Sequence, residues 1–239
     1  SAKLLDDDLN KAFDSELPFG NNNDGAGKTV VLDFPSTNMA KPFSVGHLRS
    51  ANQGWAASNL MRDTGWTVIT DNHLGDYGAP FGIWVVGFQK FSSEEKLAER
   101  GIYELCDIYI KTKAAIKQEQ AEGKHELEDE AQQWLLNLEA GDPEAVEYSE
   151  RFNKISLDHI HKVMERLHIK TDYELGEKFF AEPGKKAAHK LVEQGLAKQN
   201  DDGSIIVTLD EYGIKTPILI LKSNGAALYA TTDLGTLLY

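Results

Sequence analysis

Cysteine is nearly absent: Cys106 is the only one in 239 residues. No internal disulfide can form, which suits a reducing compartment and leads us to expect a cytoplasmic location. Its neighbours Leu105, Ile108 and Tyr109 predict a packed core thiol. Zinc-type ligand spacing is missing as well, and His159 and His161 stand i, i+2, a spacing that does not share a helical face. No apolar run approaches the roughly 18 residues of a membrane span. Ser1-Ala2-Lys3 is not followed by the apolar stretch of a secretory signal, so no membrane partner is expected. Positive charge is in deficit: 25 Lys and Arg against 38 Asp and Glu give a formal net charge of −13. That excludes a broadly basic nucleic-acid surface, and DNA with it, and leaves room only for a local patch. An acidic balance also suits a cationic small substrate, although the excess lies mostly between Glu94 and Glu150, where it reads as solvated helix.

What is present is an ordinary cored composition, 41% hydrophobic and 26% charged, without repeats or low-complexity tracts. Residues 1–27 are polar, end in Gly20-Asn21-Asn22-Asn23-Asp24-Gly25-Ala26-Gly27, and predict a loop or linker. Gly27-Lys28-Thr29 is not a P-loop, because position 22 is Asn and the tripeptide opens a strand instead of following one. A β-branched run predicts a strand over 28–34. A helix follows over 45–62, ended by Gly65, and a second strand over 66–70. This β-α-β unit implies a parallel α/β sheet. Helices are expected from about Ala79 to Phe91, Glu94 to Ala121, Glu126 to Glu139, Pro143 to Leu167 and Lys185 to Ala197. Pro143 suits a first-turn position with Asp142 as cap. Short strands are expected near Tyr173 and over 205–208, 218–222 and 228–230. Hairpin turns are expected at 201–203 and 223–225, and a last helix from Thr231.

The informative stretch is Pro35-Ser-Thr-Asn-Met-Ala-Lys-Pro-Phe-Ser-Val-Gly-His-Leu-Arg49. It lies between the first strand and a helix start, where an open parallel sheet binds its ligands. Unpaired amides and the positive dipole end at a helix N-terminus favour phosphate. Lys41 and His47 can donate to phosphate oxygens, and Gly46 allows close backbone approach. The pattern Asn-x-Ala-Lys-Pro-x-x-x-Gly-His-Leu-Arg-Ser resembles the first signature of class I aminoacyl-tRNA synthetases in its arginine-specific form. Matching blocks follow in family order: Asp71-Asn72-His73-Leu74-Gly75-Asp76-Tyr77-Gly78, Gly141-Asp142-Pro143-Glu144-Ala145, Leu221-Lys222-Ser223-Asn224-Gly225 and Tyr229-Ala230-Thr231-Thr232-Asp233-Leu234. The resemblance implies part of a Rossmann-like nucleotide-binding fold with a mainly helical α+β connective insertion. It divides the chain into a linker or remnant (1–27), the first half of the catalytic fold (28–91), the insertion (92–221) and a return to the catalytic fold (222–239).

It also implies an arginine-tRNA ligase that forms arginyl-adenylate from L-arginine and ATP with Mg2+ as co-substrate, then transfers arginine to tRNA(Arg). No protein-bound metal and a monomeric state are expected. His47 falls on the second His of the signature, which contacts ATP. Ser44 stands where the first His belongs and is counted with both the ATP and the arginine subsites; its hydroxyl can donate one bond but carries no charge. Lys41 occupies the place of a lysine that compensates for a degenerate second signature. Asp33, where the family favours Glu, together with Asn38, Tyr229 and Asp233, falls on arginine contacts. Asn72, His73, Gly75 and Asp76 fall on an adenylate-side loop. The Lys-rich second signature does not occur within the 239 residues, so this polypeptide alone is expected not to aminoacylate and to bind arginine or ATP only weakly. Two rivals remain: a tRNA-independent nucleotidyltransferase of the same superfamily, and a synthetase-like binding module that has lost catalysis. Ser44, Thr232 and Gly235, which depart from the family pattern, favour the second.

Overall fold

A computed structural model describes residues 2–14, 20–78 and 80–239. Residues Ala2–Asp14 form a helix, α1, where composition predicts a loop; it leaves Leu4, Leu5, Leu9 and Phe13 exposed. Residues 15–19 of the expected linker lie outside the described residues, as does Ala79 at the expected start of the helix after the second strand. The β-branched run becomes β1 (Thr29–Asp33), followed by α2 (Val45–Asp63) and β2 (Thr67–Asp71). The two strands pair in parallel, Thr29 beside Thr67 through Asp33 beside Asp71, which is the β-α-β unit expected from the sequence.

Next come α3 (Pro80–Phe91), α4 (Glu94–Arg100), α5 (Ile102–Ala121), α6 (Glu126–Glu139) and α7 (Pro143–Arg166). The single helix predicted over 94–121 is two, because Gly101 sits at φ 53° and breaks it. Asp142 caps α7 by accepting from the Ala145 amide at 3.0 Å, with Pro143 in the first turn. Helix α3 is apolar all round, buried from Phe81 to Phe88, and packs against α5 and α6. Its Trp84 meets Phe152 of α7 edge-on and donates its indole N–H to the Leu105 carbonyl at 3.1 Å. This aromatic core extends without interruption to Phe34 and Met39 beside β1, so the helical region and the strand pair share one hydrophobic interior. Cys106 is only half-buried, not the packed core thiol its neighbours suggest.

The chain ends with α8 (Glu177–Glu193), an antiparallel sheet of β3 (Lys198–Gln199), β4 (Ile205–Leu209) and β5 (Ile214–Leu221), and α9 (Tyr229–Leu237). Near Tyr173 there is a single parallel bridge to Asp71 instead of a strand. Helix α8 begins eight residues ahead of the predicted start at Lys185 and runs through Pro183. The predicted strand at 228–230 is the start of α9: the Leu228 amide donates to Thr231 Oγ1 at 2.8 Å, a cap that draws the backbone into helix. Helices α8 and α9 cross with almost no space between backbones. A Cβ on Gly184 would stand 2.0 Å from the Thr231 carbonyl oxygen, and one on Gly235 would stand 2.5 Å from that of Phe180.

Candidate functional site

Beyond the carboxyl ends of β1 and β2 the chain does not splay into open loops. Three segments run side by side. The Gly75 amide donates to the Thr37 carbonyl at 2.9 Å, bringing Asn38 and Gly75 into register. On the other flank, the Asn72 amide donates to Tyr173 O, the Leu175 amide to Asp71 Oδ1 and the Glu177 amide to Leu74 O, each at 2.9 Å. Residues 36–39, 71–76 and 172–178 therefore form a hydrogen-bonded ledge that continues the parallel pair.

On this ledge, Asp33 Oδ1 accepts from Ser36 Oγ at 2.8 Å and from the His73 amide at 3.2 Å, while the residue stays exposed. Asn38 Oδ1 accepts from the Ala40 amide at 2.9 Å. Asn72 is fully buried and ties the Thr37 amide and hydroxyl to the ledge, each at 3.3 Å. The His73 ring stacks on Phe180, 5.4 Å between centroids, and its buried Nδ1 has no hydrogen-bond partner among the described residues.

The α2 start is built around His47. Ser44, the N-cap, donates its backbone N–H to His47 Nδ1 at 3.1 Å. An amide N–H can only donate, so Nδ1 accepts and the ring proton sits on Nε2. Burial, and then the Lys41 ammonium, hold the imidazole below its usual basicity, so it is neutral at pH 7. Phe43 packs edge-on against the ring at 5.4 Å. A Cβ on Gly46 would meet only Ser44 Oγ, at 3.6 Å, so the space outside that backbone is open. With exposed Lys41, this helix start presents two side-chain donors and unpaired amides, the chemistry of an anion site.

Acids gather at the heads of α8 and α9. Asp76 Oδ1 accepts from the Lys178 amide at 3.0 Å and so caps α8 from a hundred residues away; burial raises its carboxyl above the usual range. Glu177, 8% exposed, is pushed up to about 7 by burial and by the neighbouring Asp76 and Asp233 carboxylates. Tyr229 is raised by Glu177, by burial and by Tyr109. Glu177 makes no ion pair among the described residues. A carboxyl beside two others, with no ion pair of its own among the described residues, is the electrostatic complement of a positively charged ligand. Sequence reasoning missed Glu177. Its signal is present in retrospect: it heads the stripe Glu177, Phe180, Ala181, Gly184, Ala188 that α8 buries.

The predicted residues thus form two groups. Asp33, Asn38, Asn72, His73, Gly75 and Asp76 share the ledge, and through Glu177 they reach Asp233 and Tyr229. Lys41, Ser44, Gly46 and His47 share the α2 start, and no hydrogen bond or ion pair joins His47 to Asp33 or Asp233 among the described residues. A cavity of about 700 Å³ lies elsewhere, between α5, α6 and the 222–226 turn, lined by Lys113, Lys117, Leu135 and Lys222. No group of three His, Cys, Asp or Glu suited to a metal ion occurs among the described residues.

Comparison with known proteins agrees with this architecture. The family described as tRNA synthetases class I (R), catalytic domain, matches residues 13–239. Arginine–tRNA ligase of Streptococcus thermophilus is 36% identical over 238 residues, covering 100% of this chain and 41% of the relative. That of Streptococcus mutans is 39% identical over 215 residues, covering 90% and 37%. Arginyl-tRNA synthetase from Plasmodium falciparum superposes with a TM-score of 0.73 at 25% identity over 100% of this chain and 41% of its own. The Thermus thermophilus enzyme superposes at 0.67 with 19% identity, a likeness of fold. The chain spans about two fifths of the length of these relatives. Helices flanking a parallel β-α-β unit, a Gly-His helix start beyond its first strand and a match along nearly all its residues place this chain in the family of class I arginyl-tRNA synthetase catalytic domains.

Proposed function

We propose that this chain supplies the arginine and ATP subsites of an arginine-tRNA ligase, with the α2 start as the phosphate end and the Glu177 cluster as the guanidinium end. Activation needs no general base, because the arginine carboxylate is ionised at pH 7. Its oxygen attacks the α-phosphorus of ATP, the bond to the bridging oxygen breaks, and pyrophosphate leaves with Mg2+, which accompanies ATP as co-substrate. The work of the protein is alignment and charge stabilisation. His47 Nε2–H, Lys41 and the α2 amides donate to phosphate oxygens, and Ser44 holds the imidazole in the tautomer that keeps Nε2–H as the donor. Asp33, Asp233, Glu177 and Tyr229 accept from the guanidinium fork, a geometry that carboxylates satisfy best. Asn38 and Ser44 orient the arginine head, and Asn72, His73, Gly75 and Asp76 hold the adenylate side. Residues 28–91 and 222–239 then act as catalytic fold, and 92–221 as connective insertion. The longer protein works in the cytoplasm and transfers arginine to the terminal ribose of tRNA(Arg).

The single observation that carries this reading is buried Glu177, which feels the Asp76 and Asp233 carboxylates and has no ion pair among the described residues. Calorimetry with arginine, lysine and citrulline is the test. Arginine should bind more tightly than lysine, and neutral citrulline should bind least; equal affinities for the three would remove the guanidinium assignment. Pyrophosphate exchange by the longer protein, with and without tRNA, checks the reaction.

A further inference from the structure

Of two side chains of α7, in the insertion, one reaches the segment after β1 and the other reaches Glu174. Ser156, 1% exposed, donates its hydroxyl to the Met39 carbonyl at 2.7 Å. Five residues on, His161 Nε2 lies 2.8 and 2.9 Å from the two carboxyl oxygens of Glu174. A carboxylate accepts only, so Nε2 carries the proton. Glu174 Oε1 in turn accepts from Asn72 Nδ2 at 3.4 Å. This fixes which way the buried Asn72 amide faces: with its NH2 toward the acid, its oxygen is left for the Thr37 amide and hydroxyl. Thr37 is therefore held through Asn72, and Met39 is held by Ser156. Asn38 lies between these two anchors.

We propose that α7 positions Asn38 for substrate, with His161 acting through Glu174 and Asn72 on one side and Ser156 acting directly on the other. This rests on the reading of Asn38 as an arginine contact. His161, Glu174 and Ser156 do not touch substrate; each is a positioning residue, and Asn72 is the link through which two of them act. The arrangement makes the placement of a substrate-binding asparagine depend on a half-exposed histidine of the insertion. Any displacement of the 161–174 contact would free the Asn72 amide to turn and release Thr37. The buried end of the relay, Asn72 with Thr37, is costly to leave half-made, which is why losing the outer partner is felt several residues away.

Hydrogen exchange read peptide by peptide, together with arginine calorimetry, tests this on the 239-residue chain and its His161→Ala and His161→Gln variants. In His161→Ala, exchange over residues 36–41 should rise about tenfold and arginine affinity should fall about three- to tenfold, the scale of one lost hydrogen bond. Exchange over β4 and β5 and the unfolding midpoint should stay as they are, since His161 is half-exposed. The Gln variant keeps an N–H donor for Glu174 and should recover both losses. A residue of purely structural importance would lower the midpoint and would not separate Ala from Gln. Wild-type exchange over 36–41 in the Ala variant, or no recovery in the Gln variant, overturns the proposal. If exchange responds as described while the wild-type chain binds no arginine, the clamp stands and the assignment of Asn38 to arginine fails.

Discussion

At the scale of single residues, the two charged ends of the site respond to pH in different ways. His47 is held neutral by burial and by Lys41. Below about pH 6.5 the unfolded chain takes up a proton that folded His47 resists, so stability falls as pH drops through that range. Protonation would also place a hydrogen on Nδ1 and break the bond from the Ser44 amide. His47→Gln should therefore flatten the acid limb of a melting-temperature profile between pH 5 and 7 and weaken ATP binding; an unchanged acid limb would deny His47 its half-buried, neutral state. Glu177 behaves in the opposite sense. Its folded carboxyl sits near 7, above the unfolded value, so the folded chain binds the extra proton and loses stability as pH rises from about 4.5 to 7. Replacing it with Gln removes that cost. We expect the Glu177→Gln chain to be about 1–3 kcal/mol more stable at pH 8, and to bind arginine at least tenfold more weakly because one desolvated charge partner is gone. Chemical denaturation and calorimetry on the same samples would show whether stability and affinity move apart; a variant that loses both argues for a packing role alone.

At the scale of elements, the crossing of α8 and α9 fixes where Tyr229 and Asp233 stand relative to Glu177. Gly184 and Gly235 let the backbones meet, and Thr231 and Thr232 are buried at the same contact. Thr232 donates its hydroxyl to the Tyr229 carbonyl at 2.9 Å within the first turn of α9. Gly235→Ala would drive a methyl against the Phe180 carbonyl, so the helices must move apart; a loss of about 1–3 kcal/mol is expected, with weaker arginine binding because the acids separate. An Ala variant that melts like the wild type would show that the crossing relaxes freely. Legibility in the sequence follows the same division. Helices α6 and α7 follow their apolar periodicity, and α7 also its Asp142-Pro143 cap, so both were readable to within a residue or so. The start of α8 was not, because Pro183 hides the helical pattern and the cap at Lys178 comes from Asp76, far away in sequence. For the same reason the site motif was visible as a loop between strand and helix, while Glu177, Ser156 and Glu174 entered it only through contacts between distant segments.

At the scale of the whole molecule, charge decides what this chain can hold by itself. The net charge is −13, and some of its cations are already committed. Arg100 is paired with Glu104 and Asp107, Arg151 with Glu94, Lys154 with Asp158, Lys185 with Glu182 and Lys90 with Glu130. Binding to tRNA draws much of its affinity from releasing counterions as Lys and Arg neutralise phosphates, and each such contact steepens the dependence on salt. A chain whose cations are outnumbered by its acids has few contacts to offer. We therefore expect the 239 residues to bind arginine and ATP without tRNA, and to bind tRNA(Arg) weakly, with a shallow salt slope of about one or two phosphates in fluorescence anisotropy between 50 and 200 mM salt. Charging of tRNA by this chain should not be detectable. Steep salt dependence with tight binding would mean that the scattered lysines converge on one face, and residues 92–221, which carry most of them, would then be the place to look.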